Sequence, residues 1–244
     1  MERSRGGVVE TLVCVPGLMC TTGVFDALRA AIPGQSRVFA LLPLDDFEAI
    51  ATRLADSLTA PSILCGMSMG AYLALAAARL APERIAGLVL IGGAAGADSP
   101  QAAQNRLKAV DWAKRKGADA LASVQAQSML AEANRGRGDL RAVLLTMTRE
   151  IGLDVFAAHQ LALAGRPDQT DALAGISCPA LVLTGAEDAV NPPAIAREMA
   201  SAMPHASFLA IEGCGHLPVL EAPEIVAAHI RQFIESNFRE ARSA

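Results

Sequence analysis

Read for the alternation of apolar and polar positions, the chain carries six short, nearly unbroken apolar runs, at residues 11–15, 37–42, 62–65, 85–91, 180–184 and 206–211. Continuous runs of this kind predict strands buried on both faces, the pattern of a parallel sheet. Between them, apolar residues recur at helical spacing over 24–32, 47–58, 71–80, 193–203 and 222–238, which supplies the crossover helices a parallel sheet requires. The rhythm breaks between residues 97 and 171, where Ala, Gln, Arg, Lys and Leu fill helical windows and no strand pattern appears. The expected fold is therefore α/β. A mostly parallel sheet of about six strands is built from residues 1–96 and 172–244, and residues 97–171 form a helical cap, or lid, over the strand ends.

Within the insertion lie the single Trp112, a glycine-containing stretch at 134–138 expected to be a flexible point, and an exit at Arg166-Pro167-Asp168 that returns the chain to the sheet. Its basic residues, among them Arg106, Arg135, Arg137 and Arg149, read as solvated helix faces that could also contact an acidic substrate group. The last residues, 239–244, are expected to fray.

At 244 residues and 52% apolar, the chain can bury a full α/β core with room for an insertion. A net charge of only −4 with scattered basic residues argues against nucleic acid or an anionic membrane as partner and favours a small molecule. No apolar run approaches the roughly 20 residues that span a bilayer, and the start does not read as a signal peptide, so a cytoplasmic location is expected. The five cysteines, Cys14, Cys20, Cys65, Cys178 and Cys214, are odd in number and mostly sit in apolar runs. They read as small buried hydrophobes, and neither a disulfide framework nor a metal site is expected. Oligomeric state is open between monomer and homodimer.

The chemistry starts at Gly66-Met67-Ser68-Met69-Gly70, between a strand signal and a helix signal. A G-x-S-x-G turn there strains the serine and lifts its Oγ clear of the sheet, and the next N–H, that of Met69, faces an oxyanion position at the helix start. Serine needs an imidazole to take its proton and a carboxylate to orient that imidazole. Two later strand ends offer them: Gly185-Ala186-Glu187-Asp188 after the fifth run, and Gly213-Cys214-Gly215-His216-Leu217-Pro218 after the sixth. The candidates are Ser68 as nucleophile, His216 as base and Asp188 as acid, with Glu187 in place of Asp188 if the turn is registered one residue earlier. His159, His205 and His229 lie in weaker positions. Leu18, after Pro16-Gly17, is the candidate second oxyanion donor. Met19, Phe25, Met67, Val190 and Leu217 are candidates for an apolar pocket, with core packing as the alternative reading.

Taken together, Val15-Pro16-Gly17-Leu18, the Ser68 elbow, 81–90, 178–188, Gly215-His216-Leu217-Pro218 and Glu221-Ala222-Pro223-Glu224 resemble the α/β-hydrolase superfamily along almost the whole chain. The small size and helical insertion are most similar to compact carboxylesterases such as pimeloyl-carrier methyl esterases, enol-lactonases and meta-cleavage-product hydrolases. The resemblance implies the same triad and oxyanion donors, with no cofactor. Pro16-Gly17 stands where the family usually has His-Gly, and the family's leading antiparallel strands are expected to be shortened or absent. The implied activity is hydrolysis of a carboxylic ester or lactone of a small, largely apolar substrate through an acyl-enzyme on Ser68. C–C bond hydrolysis or cofactor-free perhydrolysis with the same triad is the alternative, and a non-catalytic binding protein the next. Dehalogenation is disfavoured, because it needs a carboxylate where Ser68 stands.

Overall fold

Six strands form, the central ones along the continuous apolar runs that a sheet covered on both faces demands: β1 Leu12–Val15, β2 Ser36–Val38, β3 Ser62–Met67, β4 Ile85–Ile91, β5 Ala180–Gly185 and β6 Ala206–Ile211. The computed structural model describes residues 11–238, and within them the strands form one sheet in the order β2-β1-β3-β4-β5-β6 with every pairing parallel. Successive side chains of a strand point to opposite faces. Val13, Val15, Leu64, Leu88, Leu90 and Val182 accordingly belong to one core cluster, and Cys14, Ile63, Cys65, Val89, Ile91 and Leu183 to the other.

The crossover helices cover these faces: α1 Asp26–Ala31, α2 Phe47–Asp56 and α3 Met69–Leu80. Four helices separate β4 from β5, namely α4 Pro100–Lys116, α5 Ala118–Met129, α6 Gly138–Ile151 and α7 Leu153–Ala164. The sheet is then completed by α8 Pro193–Ser201, α9 Pro218–Glu221 and α10 Pro223–Phe238. Local chemistry starts several of them. Asp46 caps α2 by accepting the Ala49 N–H at 3.0 Å, and Ser99 caps α4 by accepting that of Ala102 at 3.2 Å, with Pro100 in the first helical position.

Some boundaries differ from the sequence pattern for physical reasons. β2 stops at Val38 instead of continuing to 42: the Phe39 N–H still reaches the Cys14 carbonyl at 2.8 Å, but the chain then leaves the sheet edge. Phe39, Leu41 and Leu44 pack against the core under α2 and α3, so the apolar run is core without being strand. The last helix is interrupted at Ala222 (φ −145°, ψ 59°), because Pro223 has no N–H for a continuing helix and disfavours the helical region in the residue before it. The stretch at 134–138 is tied down rather than loose, since the Asn134 amide donates to the Gly213 carbonyl and to the Glu221 carboxylate. The frayed tail expected at 239–244 lies outside the described residues. Among the described residues, no helix is long and apolar enough to cross a membrane.

Candidate active site

Ser68 sits between β3 and α3 with φ 54° and ψ −118°, a conformation L-residues rarely adopt. Two flanking glycines make this turn possible. A Cβ on Gly66 would lie 2.2 Å from the Gly70 carbonyl oxygen, and one on Gly70 would lie 1.9 Å from that of Val15. The turn is pinned to the sheet by the Ser68 N–H, which donates to the Ile91 carbonyl at 2.8 Å, and its part-exposed hydroxyl points to the carboxyl edge.

The loops after β5 and β6 meet there. His216 Nε2 is 2.8 Å from Ser68 Oγ, and His216 Nδ1 is 2.8 Å from Asp188 Oδ2. Asp188 is 3% exposed and His216 1%, so both interact in a low-dielectric site. The other carboxylate oxygen of Asp188 accepts the N–H groups of Val190 (2.8 Å) and Asn191 (2.9 Å), which fixes its rotamer. With Nδ1–H donating to the carboxylate, Nε2 is left as the acceptor for the serine hydroxyl. Glu187 turns away to accept the Glu132 N–H at 3.0 Å, so Asp188 is the acid that faces the imidazole. The remaining histidines lie elsewhere: His159 is buried on α7 against the Leu42 carbonyl, His205 precedes β6 and His229 is on α10. Burial pulls the His159 pKa down, partly opposed by its hydrogen bond to Leu42.

After β1 the Gly17 carbonyl accepts the Cys20 N–H at 3.1 Å, closing a turn in which Met19 has φ 59°. A positive φ at that position alone is the type II pattern, in which glycine is usual. Met19 and Ser68 are the only non-glycine residues with positive φ among those described, and both are at this edge. Met69 opens α3, so its N–H is among the donors a helix leaves without an internal partner, and Leu18 follows Gly17, where a Cβ would lie 3.1 Å from that of Ser68.

Of the candidate pocket residues, Met19 packs with Ala113, Leu121 and Phe156 of the four-helix insertion, and Leu18, Val110 and Trp112 pack against that group. Phe25, Met67 and Leu217 lie fully inside a sheet-face core cluster, and Val190 is 45% exposed. The apolar surface joining the β1 loop to the insertion thus comes mainly from α4, α5 and α7, residues that sequence reading could place only in a generic helical block.

A second polar network was not legible in the sequence. The Asn191 amide donates to Tyr72 Oη (2.8 Å) and to the Gly92 carbonyl (2.7 Å), bracing the Asp188 turn. The Arg166 guanidinium stacks 4.5 Å over the Tyr72 ring and pairs with Asp98, which also binds Arg106. Burial works to raise the Asp98 pKa, but the two guanidiniums outweigh it and hold the carboxyl below its usual range. Arg106 reaches on to Gln160 of α7 at 2.9 Å. Burial pushes the thiol of Cys20, in the turn after β1, up to about 12, so it stays protonated at neutral pH. No group of three or more His, Cys, Asp and Glu that could hold a metal occurs among the described residues.

The chain and its fold have known counterparts. Residues 12–229 match the alpha/beta hydrolase family, and the chain belongs to that family as a hydrolase of the α/β-hydrolase type. It is 31% identical, over 73% of its own length and 72% of the relative's, to a pimeloyl-[acyl-carrier protein] methyl ester esterase from Xanthomonas oryzae pv. oryzae. A thermophilic esterase from Thermogutta terrifontis, solved with malate bound, superposes with a TM-score of 0.86 at 31% identity, over 95% of this chain and 92% of that one. The enol-lactonase of Burkholderia xenovorans LB400 shares the fold at 22% identity, with a TM-score of 0.82 over 95% and 93% of the two chains.

Proposed function

We propose that the protein is a serine hydrolase of carboxylic esters, with Ser68, His216 and Asp188 as its catalytic triad. The observation that carries this reading is the continuous hydrogen-bonded path Ser68 Oγ, His216 Nε2, His216 Nδ1, Asp188 Oδ2, with both links at 2.8 Å. The ester class is supported by the methyl ester esterase and the thermophilic esterase, each 31% identical over most of both chains.

In this mechanism Ser68 Oγ attacks the ester carbonyl as its proton passes to His216 Nε2. Asp188 stabilises the imidazolium without taking the proton. The tetrahedral oxygen collects negative charge and rests on the Leu18 and Met69 N–H groups; one such donor is worth about 2.7–4 kcal/mol of transition-state stabilisation in hydrolases of this kind. Collapse expels the alcohol, which receives the proton from His216. Water, activated by the same imidazole, then releases the acid and restores the serine. The reaction needs no cofactor. The insertion acts as a cap, and the apolar cluster around Met19, Trp112 and Phe156 favours an acyl group that is small and largely apolar.

The test is turnover of p-nitrophenyl esters of increasing acyl length by the wild type and by Ser68→Ala. Serine-dependent turnover with an optimum at short to medium chains is expected. Equal hydrolysis by the two proteins would remove Ser68 from the mechanism.

A further inference from the structure

Glu221 lies at the end of α9, five residues beyond His216, and is only 8% exposed. A buried carboxylate persists where its lone pairs are satisfied or its charge is paired. Among the described residues no salt bridge reaches it; three neutral N–H donors do, each at 2.8 Å. One oxygen accepts the N–H of Gly215, the residue immediately before His216. The other accepts the Ala131 N–H and the Asn134 side-chain amide, both from the link between α5 and α6.

Around this carboxylate the two backbones are in direct contact. The His216 N–H donates to the Met129 carbonyl at 2.6 Å, and the Asn134 amide also donates to the Gly213 carbonyl at 3.0 Å. Gly215 has no room for a side chain: a Cβ there would stand 2.5 Å from the Met129 oxygen and 2.6 Å from the Ala131 nitrogen. The imidazole ring is held by Asp188, but the backbone that carries it is held from the insertion.

From this geometry we infer that Glu221 is a positioning residue, the carboxylate that clips the His216 loop to the 129–134 segment of the insertion and so sets where His216 Nε2 meets Ser68. The inference rests on the triad reading above. Without the carboxylate, the Gly215 and Ala131 N–H groups lose the acceptor they share. In Glu221→Gln the amide keeps one accepting oxygen and presents an NH₂ to a donor, so the segments separate while the side-chain volume is conserved. A displacement of about 1 Å at the reacting groups costs on the order of 10²-fold in rate.

The experiment uses the full chain as wild type, Glu221→Gln, Asn134→Ala and the double variant. Sites are counted by complete fluorophosphonate titration, and folding is checked by thermal melting. Expected is a kcat per titrated site lower by on the order of 10²-fold in Glu221→Gln at unchanged KM, with a smaller loss in Asn134→Ala. The double variant should lose less than the product of the two single losses, because the Asn134–Glu221 contact is shared and only the Asn134 bond to the Gly213 carbonyl is separate. A purely structural role would lower the melting temperature and the number of sites while leaving kcat per site at the wild-type value, and that result overturns the inference. Multiplicative losses in the double variant do the same. If Glu221→Gln does not fold, Asn134→Ala decides: a loss of kcat per site supports the clip, and wild-type kcat overturns it. Ester turnover that Ser68→Ala leaves intact would instead remove the triad reading, and this inference with it.

Discussion

Replacing Ser68 by glycine should make the protein more stable than replacing it by alanine, the reverse of the ordinary order. Both variants lose the hydroxyl and its contact with His216, so those effects cancel in the comparison. What differs is the backbone: φ 54° and ψ −118° is comfortable for glycine and costs a side-chain-bearing residue about 1–3 kcal/mol. Against this, glycine gives the unfolded chain extra freedom worth about 0.4–1 kcal/mol, and loss of a part-exposed methyl costs at most about 0.8 kcal/mol. Taking middle values, Ser68→Gly exceeds Ser68→Ala by about 1 kcal/mol, which for a chain of this size is about 2–4 °C in Tm. Urea denaturation of the two variants at neutral pH, followed by circular dichroism, measures the difference directly. Glycine equal to or below alanine would mean that the elbow stores no strain at Ser68.

Two further outcomes test the surrounding structure. Asp98→Asn leaves the buried Arg166 and the half-buried Arg106 without their shared carboxylate, and should lower stability by about 3 kcal/mol, the lower end for breaking a buried pair; an unchanged melting temperature would contradict this. His159 is held neutral with its pKa below the ordinary 6.5, so the unfolded chain gains a proton first as pH falls, and stability is lost on the acid side of 6.5. His159→Gln lacks that loss, so the gap between wild type and variant should narrow as pH drops from 7.5 to 5.5, and a constant gap in paired denaturation curves would refute it.

The long apolar runs of the central strands were legible because burial on both faces leaves few alternatives: β4 coincides with its pattern and β5 extends one residue further, while β6, a partly buried edge strand, also keeps its expected bounds. The 37–42 run misled because an apolar side chain reports packing, not pairing, and Phe39 and Leu41 are partly buried against the core outside the sheet. At the site, the Ser68 turn and the loops of Asp188 and His216 could be found from local motifs, each a short stretch following a strand. Phe25, Met67 and Leu217 were ambiguous because the walls of a pocket and the interior of a sheet use the same side chains. Tyr72, Asn191 and Asp98 carried no local signal, and Arg166 and Asn134 only that of a loop. Their contacts join residues such as Asn191 and Tyr72 or Asn134 and Glu221, which are brought together only by the closed fold.

The chain leaves the sheet at Ile91 and re-enters it at Ala180, with the four-helix insertion between. Ser68 belongs to the part synthesised before that excursion, Asp188 and His216 to the part after it. By polymer-loop reasoning, joining strands across so long a connection costs about 1 kcal/mol more entropy than an ordinary crossover. That cost falls on the one strand pairing, β4 with β5, that brings the two parts together. Under the triad proposed above, a nascent or half-folded molecule can therefore own a formed elbow and still have no base to activate it, so nucleophilic power arrives only with the finished sheet.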